Sequence, residues 1–380
     1  MIRKFLKLPL VLGGLMVFLG TQASSSCPKV SFSEKPKPTL SSSQKPPKTI
    51  VILSIDGGGV RGIVPALILQ AIERKLPTNS HLTKYFHIMS GTSTGALICL
   101  LLNKTHDEER NVYHMMDIIR IYKTLSKEVF TRSVWQWISS GAGLFAAKYD
   151  AKSFENYLLN YLGHTKISET PIFVLVPAFE LKTRRMKFFR TQQAKKYARK
   201  DYYLKDVARA TSAAPTYFEA AYIKNIFDRD EGIYVDGGVG ANNPTVSAIV
   251  HALEIYGRNK EIFVLSIGTG TTFSTFDDNV EKLKLDIRGM GKVEWASQII
   301  DVLMGANTDV THFYALVGLR SKYYYRIQLT LDEECMQLDD GSPENMERLS
   351  KITNEFIQEN DPLITEIANH LMRLQKINSF

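Results

Sequence analysis

The sequence predicts an α/β protein of three layers, with helices on both faces of a central, mostly parallel sheet. Three features point there. Residues 49–55 and 261–267 are continuous β-branched and apolar runs, the pattern of strands buried on both faces. Such runs alternate with segments whose apolar residues recur at helical spacing. The glycine, serine and aspartate clusters fall in the turns that end the strands, where sheets of this kind place their sites.

The chain begins with the basic residues Arg3, Lys4 and Lys7, and then an apolar run from Leu8 to Leu19 that is too short to span a bilayer comfortably. Small residues follow, and Thr21-Gln22-Ala23 is similar to a cleavage site. Residues 1–23 therefore read as a signal peptide, and the protein is expected to be exported: secreted, periplasmic or vacuolar. Residues 24–48 form a Ser/Pro/Lys-rich linker of extended character. The chemically distinctive motifs lie in residues 49–275, and residues 276–380 read as a mainly helical C-terminal part packed on them.

Within 49–275, strand 49–55 runs into Asp56-Gly57-Gly58-Gly59-Val60-Arg61-Gly62 and an amphipathic helix over 63–75. A second strand ends at Gly91-Thr92-Ser93-Thr94-Gly95, and an apolar helix follows at once. Helical spacing recurs near 108–125, 152–162 and 204–213. Strands are expected at 171–179 and 185–190, around a Lys-Thr-Arg turn. Another, over 232–235, ends in Asp236-Gly237-Gly238, and a helix opens near Pro244 with proline in its first turn. Beyond residue 276, helices are expected over 293–306, 344–358 and 363–374, and a strand over 322–331.

Composition narrows the function. The formal charge is +8, and removing the three basic residues of the leader leaves +5, modest for 380 residues and no nucleic-acid signature. Three cysteines, with no C-x-x-C pair, make neither a disulfide framework nor a zinc site. Cys99 is expected to be a buried small hydrophobe, and Cys27 could pair with Cys335 in an oxidising compartment.

The Gly-x-Ser-x-Gly segment centred on Ser93 sits between a strand and a helix, which is the setting of a nucleophile elbow. There the backbone is strained, the hydroxyl stands clear of the sheet, and the helix N-terminus faces a developing oxyanion. Gly57-x-Gly59-x-x-Gly62 literally matches a dinucleotide fingerprint, but the second strand ends without the carboxylate that would hold a ribose. The alternative is an anion-binding nest of backbone N–H groups, which acyl transfer needs. None of the eight histidines stands in a strand-end loop of Gly/Asp character. Asp236 does, and two readings of it stand side by side: a general base with its pKa raised by burial, or a turn cap. Trp135 and Trp137, beside a Ser/Gly stretch, fit an interfacial flap and fit core packing equally well.

Taken together, Asp56–Gly62, Gly91–Gly95 and Asp236-Gly237-Gly238, in this order, resemble the patatin-like phospholipases. Ala210-Thr211-Ser212-Ala213-Ala214-Pro215-Thr216-Tyr217-Phe218 is similar to that family's segment before the Asp-Gly-Gly loop. The resemblance covers about Ile50 to Gly270; the C-terminal part carries no matching motif. It implies a patatin-like fold and a catalytic domain over 49–275. It also implies a Ser–Asp dyad with Ser93 as nucleophile and Asp236 as base. The family's oxyanion hole maps onto Gly57, Gly58 and Gly59, and Thr94, after the nucleophile, is placed to add its N–H. Arg61 matches the family's basic residue in the glycine loop, which steadies the loop or meets a lipid phosphate. The implied activity is metal-free and cofactor-free hydrolysis of acyl esters in phospholipids or other acyl lipids at a membrane or micelle surface. A lipid-binding or storage protein of the same fold is the competing reading, and the intact Ser93 and Asp236 argue against it.

Overall fold

A computed structural model describes residues 47–378, apart from 79, 107–109, 130–147, 230, 273–291 and 320–322. The leader, nearly all of the linker, Cys27, Trp135 and Trp137 lie outside the described residues.

The main sheet holds eight strands: β1 (Thr49–Ile55), β2 (Ile88–Gly91), β3 (Phe173–Glu180), β4 (Arg185–Arg190), β5 (Ala221–Ile223), β6 (Gly232–Asp236), β7 (Glu261–Ile267) and β8 (Tyr324–Ile327). Their order is β8-β7-β1-β2-β3-β6-β5, with β4 paired to β3. From β8 to β3 every pairing is parallel, and β4, β5 and β6 add the antiparallel part. The fold is thus the mixed, mostly parallel sandwich that the alternating pattern predicts.

Period-two alternation divides the core between the faces of the sheet. Val51, Leu53 and Ile55 point into the large cluster shared with α1 (Ile63–Lys75) and α2 (Thr94–Leu102). Ile50 and Ile52 point the other way, onto Ala248, Ala252 and Ile255. All seven residues of β1 are buried, as its unbroken apolar run requires.

Register places the site. β3 pairs with β4 through residues 175–180, so β2 and β6 share its other edge. β2 uses residues 173–175 of β3 and β6 uses 178–180. The two strands arrive from opposite directions, and their C-terminal ends meet beside Pro177.

The helices are α3 (Met115–Glu128), α4 (Ala151–Leu162), α5 (Thr191–Lys196), α6 (Leu204–Thr211), α7 (Gly238–Ala241), α8 (Thr245–Tyr256), α9 (Lys292–Gly318), α10 (Pro343–Glu359) and α11 (Asp361–Asn378). Residues beyond 276 do more than cover the sheet. They supply β8, and Leu349, Ile364, Ile367 and Leu371 of α10 and α11 join the large core cluster. α9 departs from expectation, continuing to Gly318 where the pattern predicts an end near 306. The extra turns open with Asn307, Thr308 and Asp309, weak helix formers. Asn307 and Thr308 are held there by side-chain hydrogen bonds to α7 and Asn242.

Candidate active site

Ser93 sits between β2 and α2 with φ 51° and ψ −118°, a conformation that side chains other than glycine rarely adopt. The turn is sharp because the neighbouring glycines let backbone pass against backbone. A Cβ on Gly95 would overlap the carbonyl oxygen of Ile55, and one on Gly91 would overlap the carbonyl of Gly95. Hydrogen bonds hold the strain. Thr92 N–H donates to Ile55 O (3.2 Å), Thr92 Oγ1 donates to Ala241 O (2.6 Å), and Ser93 N–H donates to Thr211 Oγ1 (3.0 Å).

Asp236 is the last residue of β6 and is buried, with only 3% of its surface exposed. Its backbone N–H donates to Ala213 O (2.9 Å), and the N–H of Gly238 donates to its Oδ1 (2.7 Å). Ser93 lines the same cavity as this carboxyl, and its side chain favours the ionised form of Asp236. Burial is the dominant influence and pushes the pKa of Asp236 up to about 7; the Gly238 N–H and the Ser93 side chain restrain that rise. A carboxyl group so tuned exchanges a proton near neutral pH, and it shares its cavity with the serine of the elbow.

One residue fastens these two pieces together. Thr211, fully buried at the end of α6, accepts the N–H of Ser93 and donates its own hydroxyl proton to Pro177 O (2.6 Å). Its carbonyl accepts the N–H of Gly237 (3.2 Å). Thr211 therefore ties the elbow, the middle of β3 and the Asp236 loop at one point. The sequence offered it as part of a motif, without a role.

The glycine loop splits into different tasks. Gly57, expected in the oxyanion hole, donates its N–H to Asn242 O (3.1 Å), so that donor is already engaged. Among the described residues, no hydrogen bond engages the N–H of Gly58, Gly59 or Thr94. Gly59 and Thr94 line the cavity at Ser93. Gly59 has φ 58°, and a Cβ there would overlap Leu338 O, so the loop and the segment before α10 pack with no room for a side chain.

Arg61 is buried, with its Nε on Gly58 O (3.3 Å) and Nη1 on Met336 Sδ (3.1 Å). Of the two roles offered by resemblance, this geometry is the loop-steadying one; the guanidinium does not line the Ser93 cavity. The Thr94 hydroxyl is taken by Tyr122 OH (2.6 Å), which leaves the N–H as the group Thr94 presents. Asp56, at the head of the loop, faces away into a bidentate ion pair with Arg326 of β8 (2.9 and 2.6 Å). Arg326 also donates to Ser266 Oγ (2.9 Å), so the C-terminal ends of β1, β7 and β8 are laced together beneath the loop.

The cavity over Ser93 and Asp236 has a volume of about 60 Å³ and an apolar wall of Leu97, Leu125, Phe154, Phe218, Met304 and Leu338. None of the eight histidines lines it. His87 accepts the N–H of Val51 at Nδ1 (3.0 Å), and burial lowers its pKa to about 4. His81 caps the turn at Thr83 and reaches Tyr113 O, His251 is a buried residue of α8, and His312 meets Tyr324 OH. At the rim, Asp339 accepts Tyr149 OH (2.6 Å) and pairs with Lys148. Cys99 is buried in α2, and burial raises its pKa, as suits an inert core thiol.

Comparison with known proteins gives consistent relatives. Residues 53–249 match the family model described as "Patatin-like phospholipase". Patatin-like protein 2 of Arabidopsis thaliana is 31% identical over 342 residues, covering 81% of this chain and 83% of that one. Patatin-like protein 1 of Oryza sativa subsp. indica is 31% identical over 343 residues, 82% of each chain. Among solved structures, VipD from Legionella pneumophila matches at 14% identity with a TM-score of 0.31, over 81% of this chain and 67% of that one.

Proposed function

Because the chain belongs to the patatin-like phospholipase family, whose members are lipid acyl hydrolases, we propose that it cleaves fatty-acyl esters through a Ser93–Asp236 dyad. The observation that carries this reading is that Ser93, on a strained elbow, and Asp236, a buried carboxyl with its pKa raised to about 7, line the same apolar cavity.

The chemistry follows from those groups. Asp236, ionised, takes the proton of the Ser93 hydroxyl as its oxygen adds to the acyl carbonyl. Negative charge then grows on the carbonyl oxygen. The N–H groups of Gly58 and Gly59 in the glycine loop, and of Thr94 at the start of α2 where the helix dipole also favours an anion, are the donors left to receive it. As the tetrahedral adduct collapses, protonated Asp236 returns its proton to the departing alcohol oxygen. Water then attacks the acyl-serine with Asp236 again as base, and the fatty acid leaves. The strained backbone at Ser93 holds the hydroxyl in place before the substrate arrives. The apolar wall of the cavity matches an acyl chain, and the substrate class is phospholipid or a related acyl lipid, met at a membrane or micelle surface.

We also propose that residues 1–23 direct export and are removed. Intact mass of the mature secreted protein tests this; a chain starting at Met1 refutes it.

A fluorophosphonate probe tests the nucleophile. It is expected to label the wild type and to fail on Ser93→Ala, with ester hydrolysis lost in parallel. Equal labelling of both proteins overturns the assignment.

A further inference from the structure

α9 has two unlike faces. Its inner face builds the site: Met304 lines the Ser93 cavity, and Asn307 and Thr308 hold the Asp236 loop. The Oδ1 of Asn307 accepts the N–H of Asn242 (2.8 Å), and its Nδ2 donates to Gly240 O (2.7 Å). Thr308 Oγ1 accepts Asn242 Nδ2 (3.0 Å). The outer face has none of the character of a solvated helix. Val302, Leu303, Val310, Phe313, Tyr314 and Val317 are between 41% and 71% exposed. Leu303 and Val310 are seven residues apart, Val310 is three and four before Phe313 and Tyr314, and these are four and three before Val317, which aligns the set, with Val302, in a stripe about 22 Å long. From Ile299 to Gly318 the only acidic or basic side chains apart from His312 are Asp301 and Asp309; there is no lysine or arginine. Contiguous exposed apolar surface of this kind marks a docking site.

Charge and position select the occupant. A stripe without a cation does not attract nucleic acid or an anionic bilayer. Phe313 and Tyr314, with ring centroids 6.0 Å apart, put aromatic bulk at one end, the chemistry that favours the boundary between headgroups and acyl chains. One helix diameter, about 10 Å, separates the stripe from the acyl cavity on the other side. We propose that the outer face of α9 is the surface by which this protein docks on electrically neutral lipid assemblies. Its biological sense rests on the lipid acyl hydrolase reading, but docking itself requires no turnover.

The test uses the full chain carrying Ser93→Ala, with vesicles of pure phosphatidylcholine and sedimentation as the readout. The parent is expected to bind and to stay bound as salt is raised. Adding Val310→Glu and Phe313→Glu should weaken partitioning by at least about tenfold, since two apolar side chains no longer leave water. In a chain with Ser93 intact, the same pair should lower the rate on vesicles relative to the rate on a short soluble ester by a similar factor. Should the Glu pair fail to fold, Phe313→Gln with Tyr314→Gln adds no charge and is expected to weaken binding in the same sense. Unchanged partitioning overturns the proposal, as does binding that needs anionic lipid and fades with salt. Light scattering that shows a dimer dissolved by the Glu pair, with vesicle binding intact, assigns the stripe to a second copy instead. If the wild type docks but cleaves no soluble ester, the docking surface stands and the hydrolase reading falls.

Discussion

Replacing Asp236 by Asn should slow turnover steeply and, above neutral pH, make the protein more stable. The wild-type carboxyl titrates at about 7 in the folded state against a reference value of 3.8. The folded state therefore holds a proton that the unfolded chain has released between these two values. Stability contributed by this group is fully present below the unfolded pKa, falls as pH rises through the interval, and is lost above about 7. A shift from 3.8 to about 7 corresponds to about 4 kcal/mol at most, because each unit is worth about 1.4 kcal/mol. Asn keeps the shape and the acceptor for Gly238 N–H and never becomes charged, so its stability carries no such slope. Urea or thermal unfolding of both proteins at intervals from pH 4 to pH 9 is the assay. The Asn variant should gain on the wild type from pH 4 upward and level off just above pH 7, by about 2–4 kcal/mol. Wild-type kcat/KM on a soluble ester should rise over the same interval as Asp236 ionises, and the variant should lose about 10²–10⁴-fold in rate. A stability difference that does not change with pH, or a variant within about threefold of wild-type activity, refutes the reasoning.

Thr211→Val should lower kcat by more than it changes KM, because Ser93 N–H and Pro177 O lose their shared partner, and Thr211→Ser should restore it; equal kcat for all three proteins would dismiss Thr211 as a positioning residue. Arg326→Met should cost about 3–5 kcal/mol in denaturant unfolding, since it strands a buried Asp56 carboxylate. Pairing it with Asp56→Asn should recover much of that loss, and additive losses would argue against a specific pair. Gly95→Ala should yield little folded protein, read by expression and circular dichroism, because its Cβ has no space against Ile55 O; a stable, active variant would contradict the close packing of the elbow.

The parts of this molecule legible in the sequence are those whose requirements are local. A strand buried on both faces needs an unbroken apolar run, and β1 and β7 have one. An elbow pressed against a neighbouring strand needs glycines on both sides of its serine, and Gly91 and Gly95 are there. Adjacency across 143 positions is another matter: Ser93 and Asp236 meet because β2 and β6 share one edge of β3 in opposite directions. No spacing rule encodes that register, and only the family resemblance anticipated it. Gly57 shows the same limit on a smaller scale. Three consecutive glycines look equivalent, yet Asn242, almost two hundred positions away, takes the N–H of the first. Arg326 was hidden in a strand without a motif, although a buried carboxylate at Asp56 requires a cation from somewhere.

A carboxylate does the work of an imidazole only if its surroundings bring it near neutrality, and the means here is removal of water. Burial dominates the shift at Asp236, while the Gly238 N–H and the Ser93 side chain pull the other way. The base strength of the site is thus set by whatever closes the loop around residue 236. Three elements from distant parts of the chain do so: α6 through Thr211, β3 through Pro177, and α9 through Asn307 and Thr308. The last belongs to a helix from the region with no recognisable motif, and that helix also supplies Met304 to the cavity. The C-terminal part therefore contributes to the candidate site, lining its cavity and hydrogen-bonding the segment that follows Asp236. Without α9 the Asp236 loop would lose its outer hydrogen bonds, and water reaching the carboxyl would return its pKa toward the ordinary range. The same helix thus lines the cavity beside Asp236 with Met304 and carries the exposed apolar side chains Val310, Phe313 and Val317 on its outer side.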